Sequence, residues 1–555
     1  MNAAKRKTTY LTTPLYYVNA SPHIGHAYAN LAADTYARFH RLLGEDVFFL
    51  TGTDEHGQKI ERSAAAAGMS PQAFADSVVA RFQSLWKLLN ISHDDYIRTT
   101  QPRHVERVQE ILRRLHKAGR LIQAAYKGWY CTPDETFWTE GEIGGPTGDP
   151  TAVDPQSGKP LCPTCGRPLE PVEEVGWHLK LRDHQEWLKQ YLKDNHRFIR
   201  PQTRYNEIAS LLEQPLPETW CIARPRHRVG WGIEVPFDPG CVVYVWFDAL
   251  LNYITVPWEI REKEKRTLWP ASLHLIGKDI LRHHTVYWPV VLRELAGLVP
   301  ELGYDRDVPL PDMVFAHGLW KVGEQKMSKS LGNVVDPVTL ITERLASQPF
   351  AADVFRYYVL SEIPFGQDGF FSEEGLQTRL TTDLGNDLGN LVNRTLSMID
   401  RYCGGKIPPS RQEDLDAIGL RGLGDRVRAL PESVRAAMED LQFSLALNAI
   451  MQVVTLANQS IEQAAPWQLA KQPEKRAQLE GVLGALACTV RIVGVMLKPF
   501  MPAVSDEIRR QLACGDAAPT WEDAAHWEGR NAGATLIRDR AVLFPRPAPA
   551  AGQGK

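Results

Sequence analysis

Two histidines one helical turn apart, His23 and His26, bracket Gly25 in the run Thr12-Thr13-Pro14-Leu15-Tyr16-Tyr17-Val18-Asn19-Ala20-Ser21-Pro22-His23-Ile24-Gly25-His26. Imidazoles so spaced can hydrogen-bond phosphate oxygens or, when protonated, pair with them, and a residue without a Cβ lets a flat base approach the backbone. About three hundred residues downstream, Lys326-Met327-Ser328-Lys329-Ser330 sets two ammonium groups on a short polar segment, suited to clamping a charged leaving group. A third chemical signal is Cys131-Thr132-Pro133-Asp134 followed by Cys162-Pro163-Thr164-Cys165-Gly166. Two thiolates two residues apart with glycine after them reach one tetrahedral ion. Carboxylate oxygen is an acceptable zinc ligand, so a Cys3Asp zinc site of Cys131, Asp134, Cys162 and Cys165 follows chemically. A knuckle that has lost its metal, or a fourth ligand from elsewhere such as His178, stand beside it as alternatives.

The elements that must position these groups are legible around them. Tyr10 to Thr13 reads as a short strand. Leu31, Ala32, Tyr36, Phe39, Leu42 and Leu43 repeat at helical spacing until Gly44, and Val47-Phe48-Phe49-Leu50 reads as a buried second strand. Residues from about 10 to 50 thus make one βαβ unit, half of a nucleotide-binding sheet. In such sheets ligands sit beyond the carboxyl ends of the strands, where helix N-termini offer free N–H groups to phosphate, and His23 and His26 fall at that place. Just past the second strand, Thr51-Gly52-Thr53-Asp54-Glu55-His56-Gly57-Gln58-Lys59-Ile60 sets ionisable groups at the same address. Asp54 has a structural reading as well, that of a helix N-cap.

Residues 61 to 120 read as helices, with Phe74, Val78, Phe82, Leu85 and Leu89 on one face of Pro71 to Leu89. From about Ile122 to Trp231 the pattern breaks into a Gly-, Pro- and Trp-rich insertion holding the knuckle cysteines. The sheet is expected to resume with a buried strand leading into a helix over Gly240 to Tyr253, again with a strand at His274 to Ile280 followed by a helix carrying His283, His284, Tyr287 and Trp288, and with Pro311 to Gly318, which ends on His317. From Asp353 onward the spacing is helical: Leu384 to Asp400, Leu423 to Ala437, Leu441 to Glu462 and Gln478 to Leu497. Ala541-Val542-Leu543-Phe544 reads as a short strand, and Pro545 to Lys555 as a disordered end.

At 555 residues the chain exceeds a single core and calls for roughly three or four structural units. A net charge of −3 supplies no global basic field, so nucleic-acid binding would have to rest on local patches. The basic start, Met1 to Lys7, has no apolar stretch behind it and no run approaches a membrane span, which points to the cytoplasm. Eight cysteines in so long a chain exclude a disulfide framework and favour one local metal site.

The histidine run and the lysine-serine run, in this order and at this separation, resemble the two signature motifs of class I aminoacyl-tRNA synthetases. Along essentially its whole length the chain is similar to the methionine-specific family of that class. Pro14 to His26, Thr51 to Ile60, the cysteine lobe, Tyr244 to Tyr253, Gly277 to Pro289, His317 to Asn333 and Asn458 to Trp467 carry the resemblance. It implies an α/β fold: a Rossmann-type parallel sheet (1–121 and 231–320) interrupted by a connective lobe with a zinc knuckle (122–230). A lysine-serine loop and stem-contact region (321–375), an all-α anticodon-binding bundle (376–544) and a disordered tail (545–555) would follow.

The resemblance also implies roles. Methionine would lie among Leu15, Tyr17, Trp246, Ala249, Tyr253, Ile280 and His284, with its ammonium on Asp54. Leu250 stands where some relatives have proline. ATP would set its adenine over Gly25, its phosphates toward His23 and His26, and its departing pyrophosphate at Lys326 and Lys329, with magnesium. Methionine carboxylate would attack the α-phosphorus to give methionyl-adenylate, and the terminal adenosine hydroxyl of the methionine tRNA would then take the acyl group. Asn390 and Arg394 would read anticodon base edges while Trp467 stacks on a base. A tryptophan after proline is also a common packing anchor. One zinc per chain and a monomer, without the oligonucleotide-binding extension that dimerises some relatives, complete the expectation.

Three competing readings are separable. The valine, isoleucine and leucine enzymes carry a large editing domain where this chain has about 110 residues filled by a knuckle. A non-catalytic tRNA-binding paralogue would be expected to have lost the nucleotide motifs, which are intact. A nucleotidyltransferase of the same superfamily would need no anticodon-type bundle.

Overall fold

The computed structural model describes residues 6–546 except 146–148, 150, 323–324, 327–334, 412–414 and 528–530, together with the side chains of 322, 325 and 326. Lys329 lies outside the described residues, as do the side chain of Lys326 and most of the expected tail. The backbone of Lys326 pairs with Lys321 in a small antiparallel ladder.

Seven strands form an all-parallel sheet in the order Tyr16–Tyr17, Asp46–Asp54, Thr8–Thr12, Leu273–Gly277, Val314–His317 and Ile199–Arg200, with Asp95–Arg98 also paired to Asp46–Asp54. Val47 to Leu50 is buried throughout, as strands covered on both faces require. The helix Ile24–Leu42 carries the chain from Thr8–Thr12 to its neighbour on one side, and Leu273–Gly277 pairs on the other. The carboxyl ends of these two central strands are therefore the switch point where such sheets bind ligands. Gly44, at φ +82°, ends the helix in a conformation that side-chain-bearing residues disfavour.

Several sequence expectations need correction. Residues 61 to 120 are not all helical, since Asp95–Arg98 adds a sheet strand; four half-buried residues are too few for a period to declare itself. The insertion is not irregular. Leu121–Cys131, Glu170–Lys180 and Thr219–Pro225 are three adjacent strands of a six-stranded antiparallel sheet. The apolar run after Gly240 belongs to that sheet, with Val242 opposite Arg224, and not to the parallel one. Conversely Ile199–Arg200, from within the insertion, is the edge strand of the parallel sheet. An apolar run announces a buried strand but not its partner. Ala541 to Phe544 forms no strand; Leu543 and Phe544 are buried side by side against the core, which an alternating strand could not do.

The helices Asn390–Cys403, Arg421–Glu439, Phe443–Ala464 and Arg476–Met496 form the C-terminal bundle. Contrary to the sequence expectation, one stretch, Pro473–Met496, is long and apolar enough to cross a membrane, but 89% of its apolar window is buried inside the protein, as a central core helix requires. Leu31 and Phe39 of the first catalytic helix share one continuous hydrophobic cluster with Leu447 and Val490 of the bundle. Arg356, wholly buried, ties the two together: it pairs with Asp34 at 2.7 Å and donates to the carbonyls of Leu89, Pro499 and Phe500.

Candidate active site and metal centre

At the switch point, His23 is the N-cap of Ile24–Leu42. Its Nδ1 accepts from the Gly25 N–H at 3.0 Å, and His26 Nδ1 accepts from the His23 N–H at 3.1 Å, a capping box built from imidazoles. The two rings lie 3.9 Å apart, and a Cβ on Gly25 would meet the His23 ring at 2.9 Å. The sequence therefore spends its two histidines on fixing the first turn while leaving them at a positive helix end, where an anion gains from both.

Across the crevice the Val245–Glu264 helix presents Trp246, Ala249 and Tyr253, three and then four residues apart and so on one face. Trp246 meets Tyr17 edge to face at 6.0 Å and stacks on His283 at 3.8 Å. His283 and His284 lie on a π-helical turn, His283–Tyr287, of the kind that re-aims side chains at functional sites. His284 Nδ1 faces the Ile280 carbonyl at 3.0 Å, and since a carbonyl only accepts, that nitrogen carries the proton. Nε2 is then left to accept from the Tyr253 hydroxyl at 2.9 Å. Burial pushes His284 down to about 4, so the ring is neutral. The expected pocket residues Leu15, Tyr17, Trp246, Ala249, Tyr253, Ile280 and His284 are all buried or half-buried, with Tyr17 against Trp246 and Tyr253 against His284.

Asp54 ends the Asp46–Asp54 strand and is not an N-cap; the following helix, Gln58–Ala66, is capped at Gly57 without a side-chain bond. Its carboxyl is 2% exposed, and Oδ1 and the Tyr17 hydroxyl are both buried without a hydrogen-bond partner among the described residues. Burial, then the neighbouring charges of Asp248 and Glu135, push the Asp54 carboxyl well up. A buried acceptor and hydroxyl left open in an apolar slot are what a ligand cation and its polar head would satisfy.

Sequence reasoning missed the support behind this wall. Asp248, on the pocket helix, takes His56 Nδ1 at 2.7 Å on one oxygen and His104 Nε2 at 2.8 Å on the other. Glu135 is 1% exposed and bonded to the backbone of Lys59. The signal for Glu135 was its place directly after Asp134 of the candidate metal cluster.

Cys131, Asp134, Cys162 and Cys165 come together, their ligand atoms all within 4.8 Å of one another. Asp134 Oδ2 lies 3.4 Å from Cys131 Sγ and 3.2 Å from Cys162 Sγ, and the Cys131 and Cys165 sulfurs are 3.5 Å apart. Zinc–sulfur bonds of about 2.3 Å in a tetrahedron place ligand atoms at roughly these separations, so the donor set fits a metal ion. Burial, then the Cys165 sulfur, push Asp134 up to about 6, the strain of packed donors that a dication relieves. His178 instead faces Thr219 Oγ1 at 2.9 Å and is no member of the cluster.

In the bundle, Asn390, Arg394 and Trp467 also assemble. Arg394 lies 5.8 Å over the Trp467 ring and pairs with Glu462 at 2.7 Å, while Asn390 donates to Asn458 at 3.3 Å. The indole is half-buried, which leaves part of it available for stacking.

Residues 9–396 match the family model described as tRNA synthetases class I (M), and residues 424–532 that of the anticodon-binding domain of tRNA ligase. The fold is that of a class I aminoacyl-tRNA synthetase. The chain is 43% identical over 544 residues to the methionine–tRNA ligase of Caldanaerobacter subterraneus subsp. tengcongensis, covering 98% of this chain and 79% of that one. It is 39% identical to the Bacillus subtilis enzyme of the same name, covering 98% and 78%. Mycobacterium tuberculosis methionyl-tRNA synthetase solved in complex with methionyl-adenylate superposes with a TM-score of 0.86 at 38% identity, covering 97% of this chain and all of that one. Its apo form gives 0.80 at 34%, covering 98% and 99%. The chain belongs to the methionyl-tRNA synthetase family.

Proposed function

We propose that the crevice activates L-methionine with ATP to methionyl-adenylate and pyrophosphate and then transfers methionine to the 3′-terminal adenosine of its tRNA, serving initiation and elongation of protein synthesis. The observation that carries the residue assignment is that two buried groups without a hydrogen-bond partner among the described residues, Asp54 Oδ1 and the Tyr17 hydroxyl, accompany the buried or half-buried Trp246, Ala249, Tyr253, Ile280 and His284, which would wall an apolar slot. Asp54 takes the ammonium. The slot takes the thioether, which gains about 0.3–1.5 kcal/mol from aromatic edges, and its narrow shape rejects β-branched side chains. Leu15 contributes backbone and a half-buried side chain beside Tyr17.

ATP would bind with adenine over Gly25 and phosphates toward His23 and His26, with Lys326 and Lys329 assigned to the departing pyrophosphate. Because a carboxylate is already a nucleophile, the first step needs no general base, and these residues act by placing reactants in line and stabilising phosphate charge. Magnesium accompanies the nucleotide and supplies further charge neutralisation. Cys131, Asp134, Cys162 and Cys165 hold one structural zinc.

The units proposed are the parallel-sheet domain (1–121 and 231–320), the inserted lobe (122–230), the stem-contact region (321–375) and the helical anticodon domain (376–544). In the last, Trp467 stacks on an anticodon base and Asn390 and Arg394 contact base edges. The protein is also proposed to act as a cytoplasmic monomer. The assignment is tested by His284→Ala and Tyr253→Phe. Each should raise the KM for methionine with little change in that for ATP, and an unchanged methionine KM in both would remove the pocket.

A further inference from the structure

Glu135 follows a metal donor but turns its back on the metal site. Its φ is +50°, a conformation costing a residue with a side chain on the order of 1 kcal/mol, in which glycine or asparagine would sit more easily. A charged, wholly buried side chain at such a position is there for what its carboxylate and carbonyl hold. Oε1 accepts from the Lys59 N–H at 2.7 Å, Oε2 takes the Tyr130 hydroxyl, and the backbone carbonyl takes the Tyr244 hydroxyl. One residue earlier, the Asp134 carbonyl accepts from Trp246 Nε1 at 3.4 Å.

Tyr130 lies on the strand Leu121–Cys131, while Lys59, Tyr244 and Trp246 fall at the starts of two helices. Lys59 is in the first turn of Gln58–Ala66, which begins four residues after Asp54 and whose N-cap, Gly57, offers no side chain. Tyr244 is the N-cap of Val245–Glu264, the pocket helix, again without a side-chain bond of its own. An anion at a helix start satisfies an otherwise orphaned N–H and the positive helix end together. Gly57 leaves the room: a Cβ there would meet Glu135 Oε1 at 3.0 Å.

We propose that Glu135 is a positioning residue of the amino-acid site, a cap delivered in trans from the metal-site turn that sets the Asp54 strand end and the Trp246 helix relative to one another. The nucleotide side, built on His23, Gly25 and His26, makes no contact with it among the bonds described. Losing Glu135 therefore weakens methionine selectively. This rests on the reading of the pocket given above, and the test separates the two.

The full-length, metal-loaded protein would carry Glu135→Ala, Glu135→Gln or Glu135→Asp, with His284→Ala in parallel. Pyrophosphate exchange gives KM for methionine and ATP, and elemental analysis gives metal content. We expect Glu135→Ala to raise the methionine KM about tenfold, leave the ATP KM within about twofold, and retain its metal. Glu135→Gln, which keeps an acceptor for Lys59, should recover to within about threefold of the parent. If Glu135→Ala does not fold, Glu135→Asp, one methylene too short to reach Lys59, should show the selective rise. Equal changes in both constants, an unchanged methionine KM, or a rise accompanied by metal loss would overturn the proposal. A raised methionine KM in His284→Ala with none in the Glu135 variants sinks this inference alone, whereas no effect in His284→Ala removes the pocket reading beneath it.

Discussion

Replacing Asp54 by Asn keeps size and hydrogen-bonding capacity but removes the charge proposed to hold the methionine ammonium. A hydrogen bond to a charged partner contributes about 1.5–3 kcal/mol, which corresponds to roughly 10- to 150-fold in affinity. The surroundings set where in that range the loss falls. Asp54 is 2% exposed and its Oδ1 has no competing partner among the described residues, which places the interaction in a dry site and toward the upper end. Against this, Asp54 sits beside Asp248 and Glu135, and the variant relieves that repulsion. The net expectation is a methionine KM raised on the order of 100-fold in pyrophosphate exchange, with the ATP KM changed by less than about threefold. A substrate cycle isolates the contact. The analogue of methionine lacking its amino group should inhibit parent and variant within about twofold of each other, because neither enzyme has an ammonium to hold. If the analogue distinguished the two proteins as strongly as methionine does, the effect would be structural and the role assigned to Asp54 would fall.

The same carboxyl predicts a pH dependence: its pKa is raised and the ammonium requires the anion, so methionine affinity should fall as pH drops through that pKa, by about tenfold per unit, and Asp54→Asn should flatten the profile. Lys329→Ala should slow adenylate formation while sparing methionine binding, measured by single-turnover rate against equilibrium binding; an unchanged rate removes its role. About one zinc per chain should be found by elemental analysis and be lost in Cys162→Ser, and undiminished metal affinity in Asp134→Ala would place the fourth ligand elsewhere. Trp467→Ala should cost roughly 1–3 kcal/mol in tRNA affinity, seen as impaired charging at low tRNA with exchange intact, and parallel loss of both reactions would make the indole a packing anchor. Arg356→Ala leaves Asp34 with Arg38 and Ser92 as partners and strips the donor from the buried carbonyls of Leu89, Pro499 and Phe500 at the junction of sheet and bundle, and chemical denaturation should register a loss of about 1–3 kcal/mol.

Much of this was legible because the chemistry lies in short contiguous runs. The strand-loop-helix around His23 and His26 needs only one period change and a terminating Gly44 to be read, and the knuckle cysteines announce themselves by spacing. What stayed hidden depends on contacts between distant residues. Val242 and Ile276 sit in equally apolar runs, yet one strand joins the antiparallel lobe and the other the parallel sheet, a choice made by which edge is free and not by composition. Asp95–Arg98 and Ile199–Arg200 are too short to show alternation. Asp54 was read correctly as sitting at a strand end, but its N-cap reading failed because Gly57 begins the next helix and Glu135, far away in sequence, supplies the capping oxygen. Trp246, Ala249 and Tyr253 were named for the pocket, but the largely apolar run Gly240 to Tyr253 hid the point where strand gives way to helix: the strand ends at Val243 and the helix begins at Val245.

The central claim is that this crevice forms an adenylate with methionine and discriminates by the shape and polarizability of its slot. Exchange of labelled pyrophosphate into ATP, with the purified full-length protein and each of methionine, leucine, isoleucine and cysteine in turn, measures it directly. The account predicts rapid exchange with methionine and far slower exchange with the other three. Exchange with isoleucine as fast as with methionine would contradict it.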